Sequence, residues 1–386
     1  MANMKKFLAF FLLCCMLCGA AFADSEVGIA DVACGDGSVF VLMENGKLLA
    51  WGENGRGIIP GQDSRKQIKY DNRGVLMSNA KAVFIGEKCG YAINTANELL
   101  GWGEDGDAAL LCGNVYGRST KVPVKLLDDI VYVAIGREHV AAINSAGELC
   151  MWGRDTNGSL GLDIGSGSIV RQPQKVMENV KTVCCSDNNT VAVTSDGELY
   201  AWGEDFGYAE PHKFTTGITD VKKGCPGSFI LQNGNGDALL MQCIISEDGA
   251  PAVHLTAPLA SNITQLTDYG YIRDDGTLWM CQGPDSDTFV PSAKNVSCIS
   301  CFDMKHRVYV ALHTLHVESF EFDRFKSEKT YSITDVDVPI EPTSGGIFGA
   351  LIISLVIAAA AFIIIEKPLF YQKLVEEVNY QFKKMN

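Results

Sequence analysis

The stretch DGELYAWGED, Asp196–Asp205, has three near copies: NGKLLAWGEN (Asn45–Asn54), NELLGWGED (Asn97–Asp105) and GELCMWGRD (Gly147–Asp155). Anchored on the Trp of each WG, the copies put Trp51, Trp102, Trp152 and Trp202 at intervals of 51, 50 and 50 residues. A fixed period of that size means one supersecondary unit stacked on the next, as in solenoids, propellers and arrays. Two trimmed copies follow after 39 and 40 residues. Met241 takes the Trp position in NGDALLMQ, and Cys281 takes it in DDGTLWMCQG, where Trp279 falls on the slot held by Tyr200. A seventh unit, His306–Phe322, has the distance and strand content without the turn signature.

Within one copy the signals are those of strands. SVFVLMENGKLLAWG (Ser38–Gly52) is a β-rich run, a turn on Asn45-Gly46, and a second run; TVAVTSDGELYAWG (Thr190–Gly203) repeats the design on Asp196-Gly197. Asn-Gly and Asp-Gly suit two-residue hairpins, whose central positions need positive φ. An upstream strand ending in a short polar turn precedes each hairpin, as in YVAIGREH (Tyr132–His139) and TVCCSDN (Thr182–Asn188). The runs are apolar almost throughout, the pattern of strands covered on both faces. These features predict an all-β chain folded as a β-propeller, which protects its sheet edges by radial repetition. The repeated Leu faces the core and the repeated Trp fills the wedge between blades.

The unit resembles the regulator-of-chromosome-condensation repeat, roughly G-x-x-H-x-x-A-L-x-x-D-G-x-L-Y-x-W-G-x-N. In GREHVAAINSAGELCMWGRDTNGSLG (Gly136–Gly161), His139, Ala142, Gly147, Leu149 and Trp152 fall in register, and the closing GSLG matches the family's GQLG. Other copies depart: Ser38, Cys89 or Gly90, and Asn189 stand near the His slot. The resemblance implies a seven-bladed β-propeller, six blades plain and the seventh degenerate. The founding member is a nuclear nucleotide-exchange factor, a role that does not suit an exported acidic chain. Exported propellers of the family bind and inhibit other proteins.

The ends of the chain speak of export. Residues 1–23 read as a signal peptide, with Lys5 and Lys6 before an apolar run and the small residues AFA at 21–23. The nineteen residues 347–365 carry one polar side chain, Ser354, and at about 1.5 Å each are long enough for one transmembrane α-helix. Lysines beyond it keep the short amphipathic tail, 366–386, in the cytoplasm and the large domain outside. The organisation expected is therefore signal peptide 1–23, propeller 24–322, stalk 323–346, span 347–365 and tail. The first half of the stalk is placed to pair with the N-terminal strand and close the ring. The net charge is −14. The signal holds +2 and the tail +1, which leaves −17 on the exported part and argues against nucleic acid as a partner. Of 14 cysteines three lie in the signal, so the exported part keeps an odd number, eleven.

Candidate chemistry is sparse. After each strong WG comes an acidic tip: Glu53, Glu104 with Asp105 (and Asp107 close by), Asp155 beside Arg154, and Glu204 with Asp205. Equivalent loops emerge on one face, so these carboxylates would ring it and offer a surface to a basic protein; alternatively they hold their own turns. Cys298-x-x-Cys301 followed by His306, His313 and His316 has near zinc-finger spacing. The segment is strand-like, and Cys298 aligns with the core slot of Cys34, Ile85 and Ile135, so no metal is assigned. No nucleophile elbow, P-loop or HExxH is present, and no cofactor is called for. Asn157, Asn188, Asn262 and Asn295 head glycosylation sequons. The function expected is protein recognition through rim loops of a membrane-anchored propeller. The alternatives are a sugar-binding sensor or enzyme using the central channel, and a plain surface spacer.

Overall fold

The computed structural model describes residues 27–332, apart from 36, 55–56, 62–66, 70–72, 105–119, 225–226, 246–250, 283–287, 302–305, 313 and 322–323. They belong to one compact unit, Val27–Asp337. The signal peptide, the apolar run 347–365, the tail and most of the stalk lie outside the described residues. Among the described residues no helix is long and apolar enough to cross a membrane.

Seven four-stranded antiparallel sheets follow one another along the chain, over residues 29–77, 80–127, 130–177, 180–216, 218–255, 263–293 and 296–332. Each is contiguous in sequence, so these are blades 1 to 7 of a seven-bladed propeller. The first strands of the blades are Ile29–Cys34, Ala80–Ile85, Ile130–Ile135, Val180–Ser186, Ile218–Lys223, Ile263–Thr267 and Val296–Cys301, and all seven line a central channel.

The WG dipeptide works as a unit. Trp102, Trp152 and Trp202 are fully buried, each packed back onto the preceding blade. Trp152 meets Cys89, Tyr91 and Leu99 of blade 2, and Trp202 meets Ile143, Leu149 and Met151 of blade 3. The glycine that follows has no substitute. Gly52, Gly103, Gly153 and Gly203 hold φ of 112°, 107°, 116° and 112°. A Cβ on them would stand 2.3–2.5 Å from the carbonyl oxygens of Gly37, Lys88, Glu138 and Asn188.

The seventh blade is complete, and here the sequence reading stops one strand short. Arg324–Ser332 is not stalk: it is the outermost strand of blade 7, with Leu315 opposite Tyr331 and Val317 opposite Lys329. The segment RFKSEKTYS is polar, and so are its counterparts: Ile169–Met177 and Tyr208–Thr216, the outermost strands of blades 3 and 4, hold no buried residue. Nor does this segment pair with the N-terminal strand. Ile29–Cys34 pairs with Ser38–Met43 of its own blade, and the ring closes without strand exchange. At the seam Ile29–Cys34 packs on Val296–Cys301, and Cys34 donates from its N–H to Ser300 Oγ at 3.3 Å.

Blade 7 also changes the wedge. By register Glu318 stands opposite Arg307, where blade 3 has Trp152 opposite Val140. Glu318 is buried, ion-paired to Arg307 Nε, and accepts a 2.9 Å hydrogen bond from Tyr309 Oη. A buried ion pair thus replaces the aromatic wedge.

Candidate functional site

The rim is built by one hydrogen bond used four times. The residue after WG donates its N–H to the turn between the first and second strands of its blade. These bonds are Glu53 to Gly37 O (2.9 Å), Glu104 to Lys88 O (2.8 Å), Arg154 to Glu138 O (2.8 Å) and Glu204 to Asn188 O (3.2 Å). The acidic tips and the first turns therefore share one face, and those turns open onto the channel through Glu87, Arg137 and Asp187.

The two residues of each tip have different roles. Glu53, Glu104 and Glu204 are exposed. The next position latches blades together. Asn54 is fully buried; its Oδ1 accepts from Ile59 N at 2.8 Å and its Nδ2 donates to Ile59 O at 3.2 Å. That geometry presents Ile58 O to Trp102 Nε1 of the next blade at 2.7 Å. Asp155 repeats the device: it is 1 % exposed, its Oδ1 accepts from Leu160 N at 2.9 Å, and Ser159 O accepts from Trp202 Nε1 at 3.1 Å. Its Oδ2 is buried without a hydrogen-bond partner. Asp155 is therefore inside the turn and off the rim surface, in keeping with the alternative that such residues hold their own turns. The latch had a legible signal, an Asn or Asp five residues before the apolar residue it holds.

Asp205 is exposed but tied to Asn189, whose Nδ2 donates to Asp205 Oδ2 at 2.7 Å. Glu204 accepts from Asn188 Nδ2 at 2.6 Å and from Asn157 Nδ2 of blade 3 at 3.0 Å. Two of the four sequon amides are thus engaged by one carboxylate. On blade 3 Glu138 lies 3.4 Å from Arg154 and 3.8 Å from Lys88, which offsets the acidic charge there. Asp105 and Asp107 lie outside the described residues.

The channel encloses about 740 Å³. Sequence reading had named none of its charged residues. Lys222 and Lys223 project from blade 5, Asp31 from blade 1 and Asp268 from blade 6. Burial raises the Asp31 carboxyl above the ordinary range, against the pull of the Val32 N–H and Lys222.

Profiles of the regulator of chromosome condensation (RCC1) repeat match residues 29–58, 180–207 and 146–193. RCC1-type repeats are thus recognised in blades 1, 3 and 4 of the propeller. No curated protein sequence matches the chain. Similar solved structures include human WBSCR16, at 16 % identity over 55 % of this chain and 61 % of that one, TM-score 0.49. Yeast RCC1 (Prp20) bound to Kap60 is 16 % identical over 76 % of this chain and 70 % of that one, TM-score 0.49. PorZ, a surface component of the type-IX secretion system of Porphyromonas gingivalis, is 9 % identical over 82 % of this chain and 38 % of that one, TM-score 0.49.

In these blades the His slot lies opposite the residue after the Trp position. It is filled by Ser38, Cys89, His139, Asn189 and Ser228 in blades 1 to 5. His139 is buried with Nε2 3.0 Å from Thr190 Oγ1, whose own hydrogen goes to Ser159 O. Burial, then the charge of Lys223, brings its pKa down to about 4.

The RCC1 register also corrects the CxxC alignment. Cys301, opposite Arg307, holds the place of Cys34, Ile85 and Ile135; Cys298, opposite Val310, holds that of Tyr132. Both cysteines are buried, and burial pushes the Cys298 thiol up to about 12. His316 stacks on Tyr309 at 4.6 Å, while His313 and the His306 side chain are outside the described residues. Among the described residues no three His, Cys, Asp or Glu gather as metal ligands. Eight described cysteines are thiols, and Cys281 is disulfide-bonded.

Proposed function

We propose that this chain is a single-pass membrane protein which holds its RCC1-repeat propeller outside the cytoplasm and recognises a basic protein through the acidic rim. The observation that carries the reading is the exposure of Glu53, Glu104 and Glu204 at repeat-equivalent positions, each aimed by the same backbone hydrogen bond. A rigid wall of blades supports the loops, and loops on such a scaffold carry specificity. The −17 charge of residues 24–346 favours a cationic partner over a polyanion. Residues 1–23 and 347–365 supply the export signal and the anchor.

The test is capture by the full chain in its own membrane, compared with the E53Q/E104Q/E204Q variant. Exposed ion pairs contribute about 0.2–1 kcal/mol each, so three together are expected to lower affinity roughly tenfold, with the difference shrinking as salt rises. Equal capture by the variant would remove the rim from the reading. Protease protection of intact cells checks the orientation independently: the propeller is expected to be cut from outside and the tail spared.

A further inference from the structure

The channel contains two ammonium groups that the protein leaves mostly unpartnered. Lys222 crosses from blade 5 to blade 3, donates to Tyr132 Oη at 2.8 Å, and sits 5.2 Å from the centroid of that ring. Lys223 reaches only the Ile135 carbonyl, at 3.5 Å, the far limit of a hydrogen bond. An ammonium has three donors, so two contacts serve six N–H groups. Neither lysine forms an ion pair among the described residues. Asp268 and Asp220 attract Lys222, and Asp268 and Asp187 attract Lys223, through space without an ion-pair contact; Asp31 Oδ1 accepts from Val32 N at 2.8 Å, and Asp268 Oδ1 accepts from Lys223 N at 3.1 Å. Ammonium groups lining a channel with N–H donors to spare can give an entering anion charge-assisted hydrogen bonds.

The wall beside them is aromatic. Phe84 meets Tyr132 edge to face at 5.5 Å. The channel volume, about 740 Å³, falls within the roughly 300–1,000 Å³ of small-molecule sites. Depth orders the two cations. Lys222 reaches the level of Tyr132, inside the channel, and Lys223 the level of Ile135, where the first strand of blade 3 ends at the mouth.

We propose that the channel binds a small organic oxyanion, a carboxylate or phosphate borne on a planar ring, with the anionic group on Lys222, the ring against Phe84 and Tyr132, and Lys223 drawing it in at the mouth. The site is separate from the rim and does not depend on it. The acidic exterior repels extended polyanions, and the channel selects an anion small enough to enter.

The probes are benzoate and phenyl phosphate, titrated into the full chain in neutral detergent, with calorimetry and saturation transfer to the ring protons as readouts. Saturable binding of at least one probe is expected, and the stronger of the two identifies the head group. K222M is expected to weaken it at least tenfold and K223M less, while both variants retain the near-UV circular dichroism of the fold. Absence of saturable binding by both probes, or unchanged affinity in a folded K222M, overturns the proposal. Inorganic phosphate binding as tightly as phenyl phosphate overturns it as well, because the ring would then contribute nothing.

Discussion

At the scale of the residue, the chain uses polar groups chiefly to fasten blades. His139 holds its pKa near 4 because its ring is buried against Thr190 and close to Lys223. The unfolded chain titrates near 6.5, so below that pH it takes up a proton that the folded state refuses. Stability is complete above pH 6.5 and is lost as pH falls toward 4, by at most about 3 kcal/mol. Urea midpoints at pH 7 and pH 4.5 check this, and H139Q is expected to flatten the difference. Asp155 gives a second prediction. Blade 1 does the same work with Asn54, whose amide serves both polar atoms of Ile59, whereas Asp155 Oδ2 has no partner. D155N is therefore expected to stabilise by about 0.5–1.5 kcal/mol, and D155A to destabilise by a similar amount. Thermal midpoints of the two variants should move in opposite directions.

At the scale of the element, blade 7 departs from the Trp wedge of blades 1 to 4. Its buried Arg307–Glu318 pair occupies the places of Val140 and Trp152. Breaking such a pair leaves a buried charge, so E318A is expected to cost about 3–5 kcal/mol. Restoring the repeat with R307V/E318W is expected to recover most of that loss, since apolar replacement of a whole buried pair is often neutral. Chemical denaturation of the three proteins decides it; a double variant as weak as E318A would show that blade 7 needs the charges. The same scale holds a feature that was legible and went unread. Glu98, Glu148 and Glu198 recur every 50 residues, each ion-paired across its blade to Lys125, Lys175 and Lys213 of the outermost strand.

At the scale of the whole molecule, closure decides whether the fold exists. With no strand exchange, the ring depends on blade 7 being complete before it meets blade 1. A chain ended after residue 322 loses the fourth strand of that blade and is expected to lose cooperative unfolding, whereas one ended after 337 keeps it. Comparing their thermal transitions with that of the full chain tests where the propeller stops.

The sequence by itself determined the repeat, the strand class, the places of the hairpin turns and the slots of Trp51, Trp102, Trp152 and Trp202; the turns themselves differ from the two-residue form expected, since Gly46 and Gly197 hold positive φ (81° and 79°) and Asn45 and Asp196 do not. Those features are local: a turn needs its Asn-Gly or Asp-Gly within two residues, and a wedge needs its Trp at a constant offset from that turn. Met241 and Cys281 were placed by the same offsets. Only the tertiary structure separated the exposed Glu53, Glu104 and Glu204 from the buried Asp155, because burial there is set by a loop that leans on the next blade. The outermost strand Arg324–Ser332 was hidden for a related reason, since its sequence is polar and its partner strand is fixed only when the blade forms. Lys222 and Lys223 became neighbours of Tyr132 and Ile135 across some ninety residues of chain only when the ring closed. Periodicity is carried along the chain, while proximity across a channel arises from the circle the blades make, and no local pattern records it.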